Sequence, residues 1–363
     1  MAVKTYQEQL NDERTERTRA MLKNLPLSCS DFINSIAMTT SPLTRMAYTL
    51  DLETFCDYAH RELPSFAEKE PPEWTDADID QFKAKDLHRY ADYLTLYVRS
   101  DDSGDQDQPR MLRNHECGVM RKLSSLRSYF DYLFKAERIQ SNIAALVSLP
   151  KLHEKPILYL INEEVDRLLA VASDGSPTLS DHQQKFHKLT KTRDVAMLML
   201  FLGTGIRVSE CVGVNLDDLD FRLNAVLVTR KGGNQVILYF PQEVADALKA
   251  YLEERKTIKA APESQNALFL SLQKKRMTQR AVQIMVKKYC AEAVPLKKRM
   301  SPHKLRSTYA TRLYHETEDI YLVADALGHA DVNTTRKHYA AMSDQRRRDA
   351  AKNVHLPDMA DKE

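Results

Sequence analysis

Several things are missing from this sequence. Its five cysteines, Cys29, Cys56, Cys117, Cys211 and Cys290, are odd in number and form no CxxC pair or run with nearby histidines. That argues against a disulfide framework and against a zinc site, and leaves reduced, structural thiols. No stretch approaches the roughly 18 apolar residues of a membrane-spanning helix, and the segment MAVKTYQEQLNDERTERTRAML has no apolar core of a secretory leader. The expectation is a cytoplasmic protein. Internal repeats, low-complexity tracts and acid or His/Cys clusters at metal-ligand spacing are also lacking, so no metal and no cofactor is expected.

What is present is a globular balance. Hydrophobic residues make up 43% of 363 and charged residues 29%, a length that favours two domains over one. The net charge of +2 conceals an asymmetry. Residues 1–156 hold 21 Lys+Arg and 25 Asp+Glu, leaving 32 and 26 for the remainder, so the two parts carry −4 and +6. Between Lys274 and Arg306 eleven basic residues face one acid, Glu292. A solvated face explains such a run, and a polyanionic partner explains it at least as well.

The pattern predicts helices over 5–23, 31–38 and 41–60, the last with Ser41-Pro42 as cap and first turn. Another is expected from Thr75 or Asp76 through Phe82, Leu87, Tyr90, Leu94 and Val98, then a loop over 100–109. A helix over 113–135 turns Leu123, Leu126, Tyr129, Phe130 and Leu133 inward, and Arg121, Lys122 and Arg127 are expected outside, free to grip a phosphate backbone. The segment SLPKLHEKP reads as an extended linker, dividing a helical domain over 1–147 from a second over 157–363, with the linker at 148–156. Beyond it come helices over 162–172, 193–202, 242–255, 278–293 and 303–315. Segments around 219–221, 225–230 and 235–240 alternate as a small antiparallel sheet with Lys231 at its hairpin turn. The fold class expected is mainly α with a small antiparallel β-sheet. A final short helix over 343–356 is expected to pack on a neighbouring copy, or else on its own domain.

The residues with chemical potential lie far apart: Arg207 and Glu210 in GTGIRVSE, Lys231 in RKGGNQ, His303 and Arg306 in HKLRSTYAT, His329 in LGHAD and Tyr339 in TTRKHYAAM. Each alone has an ordinary structural explanation. Arg207 and Glu210 suit a helix ion pair, Lys231 suits turn chemistry, His329 suits a helix C-terminal turn, and Tyr339 is one of 16 tyrosines. His303 and Arg306, three apart, share a helical face from which both reach one phosphate.

Taken together, in this order and spacing, they resemble the catalytic domain of the tyrosine recombinases, or phage-type integrases, from about Lys155 onward. The resemblance implies an active site of Arg207, Lys231, His303, Arg306, His329 and Tyr339, with Glu210 as supporting acid. Two departures are Ser307, where many members carry His, and ten positions between His329 and Tyr339, where nine is also common. Less specifically, the first 150 residues are similar to the helical core-binding domain of these enzymes. The segments RKGGNQVILYFP and PHKLRSTYATRLY look most like the Xer recombinases, especially the single-protein XerS type that resolves chromosome dimers. An integrase of a transposon or prophage is the close rival. A type IB topoisomerase and a non-catalytic DNA-binding regulator are further alternatives.

The chemistry fits these residue types. A phenol titrates near 10, so attack at neutral pH needs a cationic cleft for the phenolate and the charged transition state. Arg207 and Arg306 each offer two donors to non-bridging oxygens, and His329 adds another. His303 binds the phosphate or takes the tyrosine proton, and Lys231 protonates the leaving 5′ oxygen. These cations replace the metal ion that many phosphoryl-transfer enzymes use, and bond energy is held in a 3′-phosphotyrosine, so neither metal nor ATP is required. The implied partners are double-stranded DNA bearing an inverted repeat and further copies of the chain, two per site and four in the synapse, with or without an accessory protein. Such a protein would sit on the nucleoid.

Overall fold

The computed structural model describes residues 5–99, 110–151, 157–176, 180–230, 233–328 and 332. The chain divides into two compact units, Met1–Glu154 and Lys155–Glu363. It is mainly α-helical, with one β-hairpin in the first unit and a three-stranded antiparallel sheet in the second. Among the described residues no helix is long and apolar enough to cross a membrane.

The first unit contains α1 (Tyr6–Leu22), α2 (Leu27–Ser35), α3 (Pro42–Glu62), α4 (Asp76–Ile79), α5 (Ala84–Tyr93), β1 (Tyr97–Arg99), β2 (Arg110–Leu112) and α6 (Glu116–Lys135). Thr5 starts α1 in a reciprocal cap with Glu8, and the Ser41 hydroxyl accepts from the Thr44 N–H ahead of Pro42. The core is unusually aromatic. Phe66 stacks on Phe82 with ring centroids 3.9 Å apart, and Phe55 meets Phe82, Tyr90 and Phe130 within 6.3 Å.

The single helix expected from residue 75 to 98 is instead α4, α5 and β1. Phe82 is buried against Phe66 in the break, and the Asp86 carboxylate accepts from the Lys83 N–H at 3.0 Å, so a new helix starts there. Long-range aromatic packing overrides the local periodicity. Strand β1 then pairs with β2 around residues 100–109, which lie outside the described residues.

A second correction concerns α6. Its apolar positions are buried and Arg121 is exposed as expected, but Lys122 is buried, and Arg121, Lys122 and Arg127 all bind within the unit. Asp51 of α3, fully buried, accepts from Arg121 at 2.5 Å, Lys122 at 3.2 Å and the Ser125 hydroxyl at 3.0 Å. Arg127 donates to the carbonyls of Ala144 and Val147. A buried carboxylate needs compensating cations, and α6 supplies them.

The second unit contains α7 (Asn162–Asp174), α8 (Asp181–Thr204), α9 (Val208–Gly213), β3 (Leu219–Asp220), β4 (Ala225–Thr229), β5 (Gln235–Tyr239), α10 (Gln242–Thr257), α11 (Gln279–Ala293), α12 (Pro302–Thr317) and α13 (Ile320–Leu327). Helix α8 begins twelve positions earlier than its apolar run suggests, since its first half is polar and, His187 apart, mostly exposed. In its second half Met197, Leu198, Leu200 and Phe201 are fully buried, and the helix packs against α10 and α12. The strands run in the order β3-β4-β5, with Ala225 opposite Tyr239 and Thr229 opposite Gln235. Two members of the basic run serve the fold. Arg276 donates to the carbonyls of Val212 and Val214, and Lys297 pairs with Glu164 at 2.5 Å.

Candidate functional site

The site grows from the end of α8. Gly205 closes that helix in the left-handed region at φ 63°, where a side chain would also collide with the Tyr309 ring. The turn sends Ile206 into the core and places Arg207 at the N-cap of α9. Glu210, buried one turn later, holds Arg207 twice. One carboxylate oxygen accepts from the Arg207 backbone N–H and the other from its Nη1, both at 2.8 Å. A fork fixed in this way points Nη2 at the carbonyls of Leu327 and Gly328, 3.2 Å from each.

Arg306 arrives from α12. Its guanidinium is buried, with Nη1 donating to the Gly205 carbonyl at 2.5 Å and Nη2 to that of Leu327. Burial, and then the neighbouring Arg207 charge, pull its pKa down to about 10, with Glu210 acting the other way. It remains a cation at neutral pH. A third guanidinium, that of Arg230, follows β4 and donates from Nη2 to the Ala326 carbonyl at 3.3 Å.

Three arginines therefore converge on the last carbonyls of α13, the negative end of that helix. Helix α13 ends at Gly328, at φ 59°, as the sequence implied for Leu327-Gly328. Arg207 keeps 36% of its side-chain surface exposed, while Glu210 and the α13 carbonyls orient its guanidinium. Such a cluster is chemically suited to an oxyanion with several non-bridging oxygens.

His303 stands exposed in the first turn of α12, and Arg306 lies buried on the next turn. Of the expected site residues, the structure brings Arg207, Glu210 and Arg306 together and places His303 on the same helix as Arg306. Lys231, His329 and Tyr339 lie outside the described residues, as does the expected tail helix over 343–356. Their chain neighbours Arg230 and Gly328 are described, and both belong to the cluster. Sequence reasoning missed Arg230. Its only signal was adjacency to Lys231.

The model of the phage integrase family matches residues 159–346, which contain every element of this cluster. Among curated proteins, the tyrosine recombinase XerC of Caldanaerobacter subterraneus subsp. tengcongensis is 33% identical over 332 residues, covering 90% of this chain and 86% of that one. XerC of Oceanobacillus iheyensis is 28% identical over 319 residues, covering 87% and 92%. Among solved structures, the XerH site-specific recombinase in a post-cleavage complex with palindromic difH shares the fold at a TM-score of 0.59 and 21% identity, covering 86% of this chain and 80% of that one. The Tn1549 transposon integrase bound to circular-intermediate DNA does so at 0.59 and 19%, covering 86% and 94%. This chain belongs to the phage integrase family and is a tyrosine recombinase of the Xer/integrase type.

Proposed function

We propose that the protein is a site-specific recombinase that cuts and rejoins DNA through a 3′-phosphotyrosine at Tyr339, in the Xer role of resolving chromosome dimers. The observation that carries this reading is the convergence of Arg207 and Arg306 on the Leu327 carbonyl, two residues before His329. A scissile phosphate entering there meets cations already oriented, so little reorganisation accompanies the charge that develops during attack.

In the proposed reaction Tyr339 Oη attacks phosphorus, and the phosphorus–O5′ bond breaks. His303 accepts the phenol proton or holds the phosphate, and Lys231 gives a proton to the departing O5′. Arg207, Arg306 and His329 neutralise the non-bridging oxygens, and Glu210 holds Arg207 in place. The reverse attack by a 5′ hydroxyl from another strand releases Tyr339 and joins the new duplex. The phosphotyrosine conserves the bond energy, so the cycle consumes no ATP, and the cations at the phosphate take the place of a metal ion.

In this reading residues 1–147 form the DNA-gripping domain, 148–156 the linker and 157–363 the catalytic domain. Two copies bind an inverted-repeat site and four form the synapse, because four strands are cut and each chain carries one nucleophile. The test is a plasmid bearing two copies of a site recovered from covalent protein–DNA complexes. Recombination yields two resolved circles from one parent. Relaxed parental circles alone would make the enzyme a topoisomerase, and a site next to transposon or phage ends would assign it to a mobile element.

A further inference from the structure

Arg230 occupies a position for which the reaction as proposed has no use. It follows β4 directly and precedes Lys231, and its guanidinium lies against the end of α13. Nη2 donates to the Ala326 carbonyl at 3.3 Å, and the guanidinium packs so closely over Gly328 that a methyl group there would overlap Nη1. Nε is buried and has no hydrogen-bond partner among the described residues. A cation that leaves a buried donor unsatisfied beside two other guanidiniums is held against a real cost. Its charge also contributes to lowering the pKa of Arg306, which places the three cations in one electrostatic neighbourhood.

Burial of Nε keeps that atom from a phosphate, so direct binding through the whole fork is not open to Arg230. Its contacts are instead to backbone on both sides. The hairpin is closed at its turn end by bonds from the Arg230 N–H to the Asn234 carbonyl at 2.8 Å and from the Gly233 N–H to the Arg230 carbonyl at 3.1 Å. The side chain thus ties a closed hairpin to the residue before His329. The bareness of Gly328 serves this contact as well as the positive φ.

We propose that Arg230 is a positioning residue that locks the β4–β5 hairpin to the C-terminal end of α13, and so sets where Lys231 stands relative to the scissile phosphate. This rests on the reading of Lys231 as the proton donor to O5′. Lysine at position 230 keeps the charge but has neither the planar fork nor its reach to Ala326, so charge and position are separable.

The experiment measures single-turnover cleavage by Arg230→Ala and Arg230→Lys beside Lys231→Ala. Two substrates are used, one with oxygen and one with sulfur at the bridging 5′ position of the scissile phosphate. A thiolate leaves without protonation, so sulfur relieves any defect that acts through the general acid. On oxygen, both Arg230 variants should slow cleavage by about 10²-fold, the lower range for a positioned proton donor, with half-site affinity unchanged. On sulfur, both should return to within about threefold of wild type, as Lys231→Ala does.

A lysine variant as fast as wild type on oxygen would show that charge alone matters and overturn the proposal. So would a deficit on sulfur as large as on oxygen, which would make Arg230 a phosphate-charge residue. Should the alanine variant lose its fold, the lysine variant carries the same two comparisons. If Lys231→Ala itself is not relieved by sulfur, the reading of Lys231 has failed and the inference falls with it. If Lys231→Ala is relieved and the Arg230 variants are not, the inference alone has failed.

Discussion

Arg207 and Arg306 donate to the same oxygen, the carbonyl of Leu327 at the end of α13. Two cations sharing one acceptor act as a unit. Arg207→Ala and Arg306→Ala should each lower cleavage by about 10² to 10³, and the double variant should lose much less than the product of the two. Neither should recover with a bridging-sulfur substrate, because the charge they neutralise is on other oxygens. Multiplicative losses in single-turnover assays would contradict a shared site.

Glu210 separates orientation from charge. In Glu210→Gln the amide oxygen still accepts one of the two bonds from Arg207, but the ionic one is lost. One charge-assisted bond is worth about 1.5 kcal/mol, so cleavage should drop about tenfold, and further in Glu210→Ala, which leaves Arg207 unheld. Equal rates for the glutamine variant and wild type would mean that Arg207 is aimed by the α13 carbonyls alone.

Asp51 is the keystone of the first unit's polar core. Asp51→Ala removes the buried carboxylate that Lys122, Arg121 and Ser125 share and should cost about 3–5 kcal/mol in urea denaturation. Arg121→Ala should cost far less, because the Arg121 side chain is half exposed and Lys122 and Ser125 still serve the carboxylate. Similar losses for the two variants would contradict the burial argument.

His187 gives the second unit a pH dependence. It is buried, its Nε2 has no partner among the described residues, and its Nδ1 lies 3.5 Å from the Tyr289 hydroxyl, which itself donates to Asp194. Burial first, and then the Lys288 charge, hold its pKa below the ordinary value, against a bond to the Ser173 backbone and the Asp194 charge. The unfolded chain therefore binds the proton more readily. Stability should be full above the unfolded value near 6.5 and decline as the pH falls below it. His187→Gln should flatten the drop in urea midpoint between about pH 7 and 5. An unchanged slope would assign the acid sensitivity to other groups.

Much of this was legible in the sequence, and the exceptions share a cause. Ser41-Pro42 fixes the start of α3 through local capping, the apolar run of α8 identifies a buried helix, and Leu327-Gly328 marks a helix end by the glycine's left-handed turn. Those are features of neighbouring residues. The break at Phe82 depends on Phe66 and Phe130, the inward commitment of Lys122 depends on Asp51 of another helix, and Arg230 finds its place against Gly328. Each needs a partner brought in by the fold, so periodicity could not show it. Arg207, Glu210 and Arg306 were found because their joint order carried the family resemblance, although the α13 carbonyls that gather them carry no side-chain signal.

The central claim is that DNA is cut by Tyr339 and left attached to it through a 3′ phosphate. The direct measurement is to trap covalent complexes on the recovered site, digest them with protease and nuclease, and identify the nucleotide-bearing peptide by mass spectrometry. The account predicts a single adduct on Tyr339, a free 5′ hydroxyl on the other DNA end, an undiminished yield in excess EDTA, and no adduct from Tyr339→Phe, which still binds DNA. An adduct on another residue such as Tyr314 or Tyr321, or cleavage that leaves no adduct and is restored by magnesium, would contradict it.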